Sequence, residues 1–307
     1  GSVFFAPFSS PLLNDASFSL RSRPAPRNSP ASPVSAGSAG PAMGTPASDT
    51  PAELVELRKP ENADKVYLNL YANEMGRMEG NLNWAHTLKN SDWSTAVLLH
   101  GGYMPFRHDR NSDGFLDNAL NEQFIALNRW KYIGANGLMA QFGVKVTATG
   151  KLGGQLEAER DMVPSLNNPW GMEMATRRVE GWAKIGKVFL DMPWKSMGLQ
   201  LSATSHEQDS RFGLRDYAGE QASVYANFIY QSIFWNTNHT FKTGLSWMYD
   251  NYQERLVIDR YDRTESVPGA FFEYTFQPSD KFTAVAGMRG DYHNLFGFFA
   301  TPRLQLR

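Results

Sequence analysis

From Lys65 onward, apolar and polar residues alternate with a period of two, in one segment after another. Val66, Leu68, Leu70 and Ala72 share one face, and Tyr67, Asn69, Tyr71 and Asn73 share the other. The segment 138–148 sets Leu138, Ala140, Phe142, Val144, Val146 and Ala148 against Met139, Gln141, Gly143, Lys145 and Thr147. The scheme recurs over Val179–Phe189, at Leu199, Leu201 and Ala203, at Phe241, Thr243, Leu245 and Trp247, and at Phe282, Ala284, Ala286 and Met288. A helix repeats every 3.6 residues, so this pattern specifies strands. About eleven or twelve are expected, many near the ~9–11 residues of a tilted membrane strand.

The connections add a direction. Short ones read at Lys89–Asp92, Gly134–Gly137, Asp191–Ser196, Asn236–His239 and Gln277–Asp280, and long polar stretches lie near 102–119, 150–173, 207–219 and 252–268. A strict short–long alternation puts tight turns at one end of an antiparallel array and large loops at the other, as in a transmembrane β-barrel. Composition agrees, for no apolar run reaches the ~18 residues of a membrane helix. A barrel strand instead shows one face to lipid and one to a polar lumen. A cation on the lipid face near the midplane costs roughly 2–4 kcal/mol. Arg129, Lys145, Lys184, Lys242 and Arg289 therefore assign their shared face to the lumen. Trp84, Trp93, Trp130, Tyr132, Trp182, Trp235 and Trp247 near strand ends suit interfacial girdles. The competing architecture is a soluble antiparallel sandwich with one solvated face.

Net charge is −1, with no basic cluster, so nothing points to nucleic acid. Cysteine is absent, which excludes disulfides and thiolate metal sites. Residues 1–52 are rich in Ser, Pro, Ala and Gly and lack amphipathic period. They read as a low-complexity, disordered tail or as a segment foreign to the native protein. The chain starts at Gly without the charged region of a signal peptide, and Arg303–Arg307 falls inside a strand. Both ends suggest a fragment.

One loop motif carries possible metal chemistry. Asp109, Asn111, Asp113 and Asp117, with Gly114 for the turn, offer alternating oxygens suited to Ca²⁺. Leu120 occupies the position where an EF-hand has its bidentate Glu. The alternative is an Asx-rich turn that binds its own backbone. No hydrolase, zinc-protease, P-loop or dinucleotide motif occurs, and the histidines (86, 100, 108, 206, 239 and 293) lack ligand spacing. His206–Asp209 reads as the opening of a long loop, and the loop Gly150–Gly171 carries Glu157, Glu159, Arg160, Asp161 and Trp170 toward an external ligand or solvent.

Several segments resemble TonB-dependent outer-membrane receptors. Val55-Glu56-Leu57-Arg58-Lys59-Pro60 resembles the plug-to-barrel junction, which gives residues 53–64 that role and 65–307 that of a partial barrel. Asn111–Asp117, Asn128–Tyr132 and Gln141–Lys145 are similar to the first barrel hairpins of that family. Val267–Tyr274, Gly287–Asn294 and Phe298–Leu304 are similar to later strands. The resemblance implies about half of a 22-stranded outer-membrane barrel, a plug, and energising partners, the TonB-ExbB-ExbD system. It implies a non-enzymatic receptor for a scarce extracellular ligand (siderophore, corrinoid, glycan, peptide or metal chelate) with no required cofactor, the structural Ca²⁺ of the Asp109–Asp117 loop being a separate reading of that motif. Neither plug nor TonB box is recognisable before Val55. The other functions weighed are a passive porin, a barrel hydrolase and a secreted, calcium-stabilised carbohydrate-binding sandwich.

Overall fold

A computed structural model describes residues 63–89 and 91–307. The readings of residues 1–52 and of Val55–Pro60 lie outside the described residues. Thirteen strands follow in chain order: β1 (Val66–Ala72), β2 (Met78–Thr87), β3 (Trp93–Met104), β4 (Leu120–Ile133), β5 (Leu138–Gly154), β6 (Gly171–Phe189) and β7 (Met192–Phe212). They continue with β8 (Arg215–Ile233), β9 (His239–Leu256), β10 (Asp259–Arg260), β11 (Arg263–Ser279), β12 (Phe282–His293) and β13 (Gly297–Leu306). Each strand pairs antiparallel with its sequence neighbours in one continuous sheet, except that the two-residue β10 leaves the path and pairs with β9 alone. Among the described residues β1 pairs only with β2 and β13 only with β12, so the sheet is not closed. It is a single layer, not the two packed layers of a sandwich.

The register turns the sequence alternation into two faces. Arg129 lies opposite Gly143, Gly143 opposite Trp182, and Trp182 opposite Ser202. Continuing through Tyr225, Met248 and Val267 traces a polar face across the sheet. The other face carries Val144, Val179, Leu201, Val224, Phe228, Leu245 and Phe272, which are apolar yet 39–63 % exposed. Among the described residues the buried apolar ones are few, Leu152 and Ala158 being the most enclosed. A sheet that leaves its large apolar side chains outside and has almost no core is stable only when something other than water covers them.

The connection lengths correct the sequence reading. The tight turns do fall at one end, at 134–137, 190–191, 234–238 and 280–281. At the other end only 105–119 and 155–170 are large loops, and 207–219 is strand apart from the two-residue turn Gly213–Leu214. His206–Asp209 therefore lies within β7 and opens no loop. β7 has 21 residues. At about 3.4 Å per residue it runs on the order of 70 Å, more than twice a ~30 Å hydrocarbon layer. Its outer portion is polar on both faces, which erases the period-two signal and reads as loop. Pairing persists there because opposite charges face each other: Arg211 bonds Glu173 directly across the ladder at 3.0 Å.

The tryptophans also divide. Trp93 packs against Trp130, Tyr132 and Phe142 on the apolar face at the tight-turn end, where Trp84 shares that face, while Trp247 lies on the same face in the middle of β9. Trp235 sits in the 234–238 turn, 85 % exposed. Trp182 belongs to the polar face and lies over Gly143, against its expected place in a girdle. A Cβ on Gly143 would fall 2.5 Å from the Trp182 ring and 2.8 Å from the Asn128 carbonyl. Gly143→Val should therefore destabilise the sheet by about 1–3 kcal/mol. The expected result is a lower unfolding temperature, followed by the loss of heat-modifiable migration in electrophoresis, whereas Gly101→Val, where a Cβ meets nothing within 4 Å, leaves it unchanged.

Candidate functional site: the polar face and its rim

All five cations singled out in the sequence fall on the polar face, distributed over β4, β5, β6, β9 and β12. The sheet does not gather them into one cluster. Lys145 Nζ lies 3.2 Å from Glu180, which also accepts from Arg178 at 2.9 Å. Lys242 stands 3.9 Å from Glu273. Arg289 grips both Asp291 oxygens, at 2.6 and 2.7 Å, and donates to Ser246 Oγ at 2.8 Å. Arg129 is almost enclosed, at 7 % exposure. Such planar, bidentate bonds hold a guanidinium more firmly than a single contact would.

Toward the loop end, where β8, β9 and β11 outrun their apolar portions, the polar face carries a network absent from the sequence reading. Tyr217 donates to Glu254 at 2.9 Å. Arg263 reaches Glu254 at 3.3 Å and Glu265 at 2.8 Å, with its guanidinium 4.0 Å from the centre of the Tyr252 ring. Gln221 donates to Tyr252 Oη at 3.3 Å and to Asp250 at 3.4 Å, and Ser223 donates to the same carboxylate. Asp250 is nearly buried, so these donors are what keep its charge solvated. The signal was present as period two (Tyr217, Gln221 and Ser223; Asp250, Tyr252 and Glu254) but was hidden because the opposite face is polar too.

Burial, reinforced by the hydrogen bond to Glu254 and its charge, pushes the Tyr217 hydroxyl up to about 12. Burial and the Asp250 and Glu265 carboxylates raise Tyr252. Burial pulls Arg263 down, but Glu265 and Glu254 outweigh it and hold the guanidinium charged.

The two large loops lean on the apolar side of the extended hairpins. Arg107 donates to the carbonyls of Leu156 and of Ala158, the latter at 2.8 Å. Arg160 pairs with Glu122 at 3.1 Å, and the Asp161 amide donates to Glu173 at 3.1 Å. Arg211 donates to the Met162 carbonyl and to that of Glu159. A cavity of about 460 Å³ remains between this loop and the Gly213–Leu214 turn, lined by Met162, Val163, Leu166, Trp170 and Arg211. Gly171, Glu173 and Arg211 place it on the side away from the polar face.

Asp109, Asn111, Asp113 and Asp117 lie together in the 105–119 loop. Asp109 accepts from the amides of Asp113 (3.1 Å) and Gly114 (2.9 Å), Asp113 from that of Phe115 (2.8 Å), and Asp117 from that of Arg110 (3.0 Å). Asn111 donates to Asp113 at 2.8 Å. These are the bonds of an Asx-rich turn. Among the described residues no three His, Asp or Glu side chains converge as a metal site. The histidines are dispersed, His100 on Asn81, His108 on the Met75 carbonyl, and His293 3.7 Å from Glu265.

No protein-family model matches the chain, and no curated protein matches it. Solved structures do. The siderophore receptor PirA from Acinetobacter baumannii superposes with a TM-score of 0.60 at 12 % identity, covering 78 % of this chain and 40 % of its own. FpvA from P. aeruginosa, in a complex with a heterologous pyoverdine and iron, gives 0.58 at 12 % identity over 79 % and 38 %. The fold is that of the barrel wall in these two receptors. At this identity the likeness is one of fold, and it is the fold that the resemblance to TonB-dependent receptors implies. The chain spans about two fifths of the length of these receptors.

The rim network makes a pH prediction. A hydroxyl whose folded pKa is raised lends stability that is complete below about pH 10, its unfolded value, and lost as pH climbs through about 12. The unfolding temperature should fall across that window, and Tyr217→Phe should shrink the fall while lowering the unfolding temperature at pH 8, where the hydrogen bond to Glu254 is lost.

Proposed function

We propose that this chain forms part of the wall of an outer-membrane receptor for energised uptake of a scarce small ligand. The observation that carries the reading is the pairing of an exposed apolar face with a continuous polar one on a sheet of receptor-barrel fold. The apolar face suits outer-membrane lipid, and the polar face suits the lumen, with Arg129, Lys145, Lys184, Lys242 and Arg289 toward whatever fills it. The role is non-catalytic: the wall supplies shape, charge and external contacts. In the whole receptor a plug would couple to the TonB-ExbB-ExbD system. Siderophores, corrinoids, glycans and metal chelates fit the reading alike, and the 105–119 loop needs no resident metal for it.

The lipid assignment is tested by paired lysines in adjacent positions. Leu201→Lys, on the apolar face, should reduce insertion into phosphatidylcholine vesicles with a cost of roughly 2–4 kcal/mol, while Ser202→Lys on the polar face is tolerated. Equal tolerance at both would remove the lipid-facing assignment. The receptor assignment is tested by tryptophan fluorescence of the refolded chain against ferric hydroxamate, ferric catecholate, cobalamin and maltooligosaccharide. Saturable quenching by one class supports it. Ion conductance across planar bilayers without saturable quenching by any of them would replace it with a passive channel.

A further inference from the structure

The cavity behind the 155–170 loop lies on the side of the sheet away from the polar face, and the chain fixes its shape. The base of the loop is closed by two bonds, from the Gln155 amide to the Trp170 carbonyl at 2.9 Å and from the Trp170 amide to Gln155 Oε1 at 2.6 Å. Its tip is closed by Asn168, whose side chain donates to the Val163 carbonyl at 2.8 Å and whose amide donates to the Ser165 carbonyl at 3.2 Å. Between base and tip, Arg211 holds the Met162 carbonyl and Glu173 holds the Asp161 amide. The Trp170 ring lies over the Gly213 turn, where φ is +60° and a Cβ would fall 2.5 Å from Trp170 Nε1. The space of about 460 Å³ is therefore preformed, and it falls within the ~300–1,000 Å³ of small-molecule sites.

The lining selects the body of a ligand, and the surroundings select its charge. Met162, Val163, Leu166, Trp170 and Leu214 present apolar surface to the cavity. Arg211 is already bonded to Glu173 and to the Met162 and Glu159 carbonyls, so its charge is compensated in place. Around the cavity carboxylates outnumber cations. On the loop side of the row Val179–Ser205–Ala222, the residues of that face on β6, β7 and β8 include Glu173, Glu207, Asp209, Asp216 and Glu220 against Arg177 and Arg211. The loop adds Glu157, Glu159 and Asp161 against Arg160, which pairs with Glu122. Glu159 itself lines the cavity. A field of this sign favours a cation within a Debye length, ~10 Å at 0.1 M salt. The same belt separates the cavity from the apolar band. The first large apolar residue of that face on β6 is Val179, about 27 Å along the strand from Gly171 at ~3.4 Å per residue. An acyl chain reaching up from a bilayer would have to cross Arg177 and Glu173 to enter.

We propose that this cavity binds a small amphiphilic organic cation, an apolar ring or chain that carries an amine. The apolar body fills the space against Trp170, Leu166 and Leu214, and the ammonium pairs with Glu159. The inference rests on the reading of the polar face as the lumen wall only for the direction of approach, which is from outside the wall. It adds a second ligand site, separate from whatever enters the lumen and opposite in preference to an anionic ligand.

The test uses the full chain refolded into phosphatidylcholine vesicles and three probes that share one ring: naphthylmethylammonium, naphthylmethanol and naphthoate. Binding is measured by equilibrium dialysis against vesicles without protein. The amine should bind saturably, at least about fivefold more tightly than the carboxylate at ~50 mM salt, with the gap narrowing at ~500 mM. Trp170→Ala should weaken the amine about tenfold. Glu159→Gln should weaken the amine several-fold and leave the alcohol unchanged. Leu166→Ser, at a side chain 90 % exposed, keeps the test open should Trp170→Ala not refold, and should weaken amine and alcohol alike. Ile258→Ser, 87 % exposed and outside the lining, should change neither. No saturable binding beyond partition into the vesicles, naphthoate bound as tightly as the amine, or binding indifferent to Trp170 and Leu166 overturns the proposal. Competition by lysophosphatidylcholine would give the cavity to a lipid chain, and tighter binding of a short peptide of one tryptophan flanked by lysines would give it to a polypeptide; either replaces the small cation. Vesicle insertion is read on the same preparation. A chain that inserts but does not bind the amine defeats this inference alone, and one that does not insert defeats the membrane reading beneath it.

Discussion

The ladder of backbone hydrogen bonds is the constraint on which the other features depend. Inside hydrocarbon no water is present to satisfy a peptide group, so each N–H and C=O needs a partner in the chain. Antiparallel pairing provides those partners for the strands between β1 and β13 and for the inner edges of those two, with register shifts only near Val188–Phe189 and Phe276–Ser279 at the tight-turn end. Once that ladder is fixed, a period of two in the sequence becomes two chemically different surfaces. A slip of one residue would exchange them, sending Lys184 and Arg289 outward and Leu201 and Leu245 inward. The distribution of charge thus selects the register as much as the hydrogen bonds permit it.

Energetically the sheet is unlike a globular core. Its large apolar residues face outward, and the interior side is held by ion pairs, amide bonds and a few ring contacts. Individual exposed pairs contribute little. The better-packed ones, Arg289 on Asp291 and Arg211 on Glu173, gain from burial and geometry. Trp182 against Gly143 shows a second device: a large ring on the polar face sits where a glycine leaves room for it. The outer hairpins continue the same ladder past the apolar portions, so the rim is built of strand and carries the Tyr217–Glu254–Arg263–Tyr252 network at defined positions.

Strand identity, the pairing scheme and the two faces were legible in the sequence because alternation is a direct imprint of the pleat. The five cations share a face as expected from parity alone. What was not legible has a common cause. Beyond the apolar portions both faces are polar, so residues 207–219 read as loop although they pair across β7 and β8, and the network of Tyr217, Asp250 and Arg263 vanished with them. Parity also places Trp182 inward, but its position near a strand end suggested a girdle. The oxygen-rich pattern of Asp109–Asp117 fitted a cation and an Asx turn alike, since both need the same side chains around a sharp bend. Only the hydrogen bonds from the loop's own amides show which groups those oxygens already serve.

The absence of cysteine in the chain opens the most direct test of the two-faced sheet. Single cysteines introduced at each position from 197 to 204 and spin-labelled in vesicles would report contact with lipid-soluble oxygen and with a water-soluble nickel chelate. The account predicts oxygen maxima at 197, 199, 201 and 203 and chelate maxima at 198, 200, 202 and 204. A period near 3.6, or uniform access of the chelate to both sets, would contradict it.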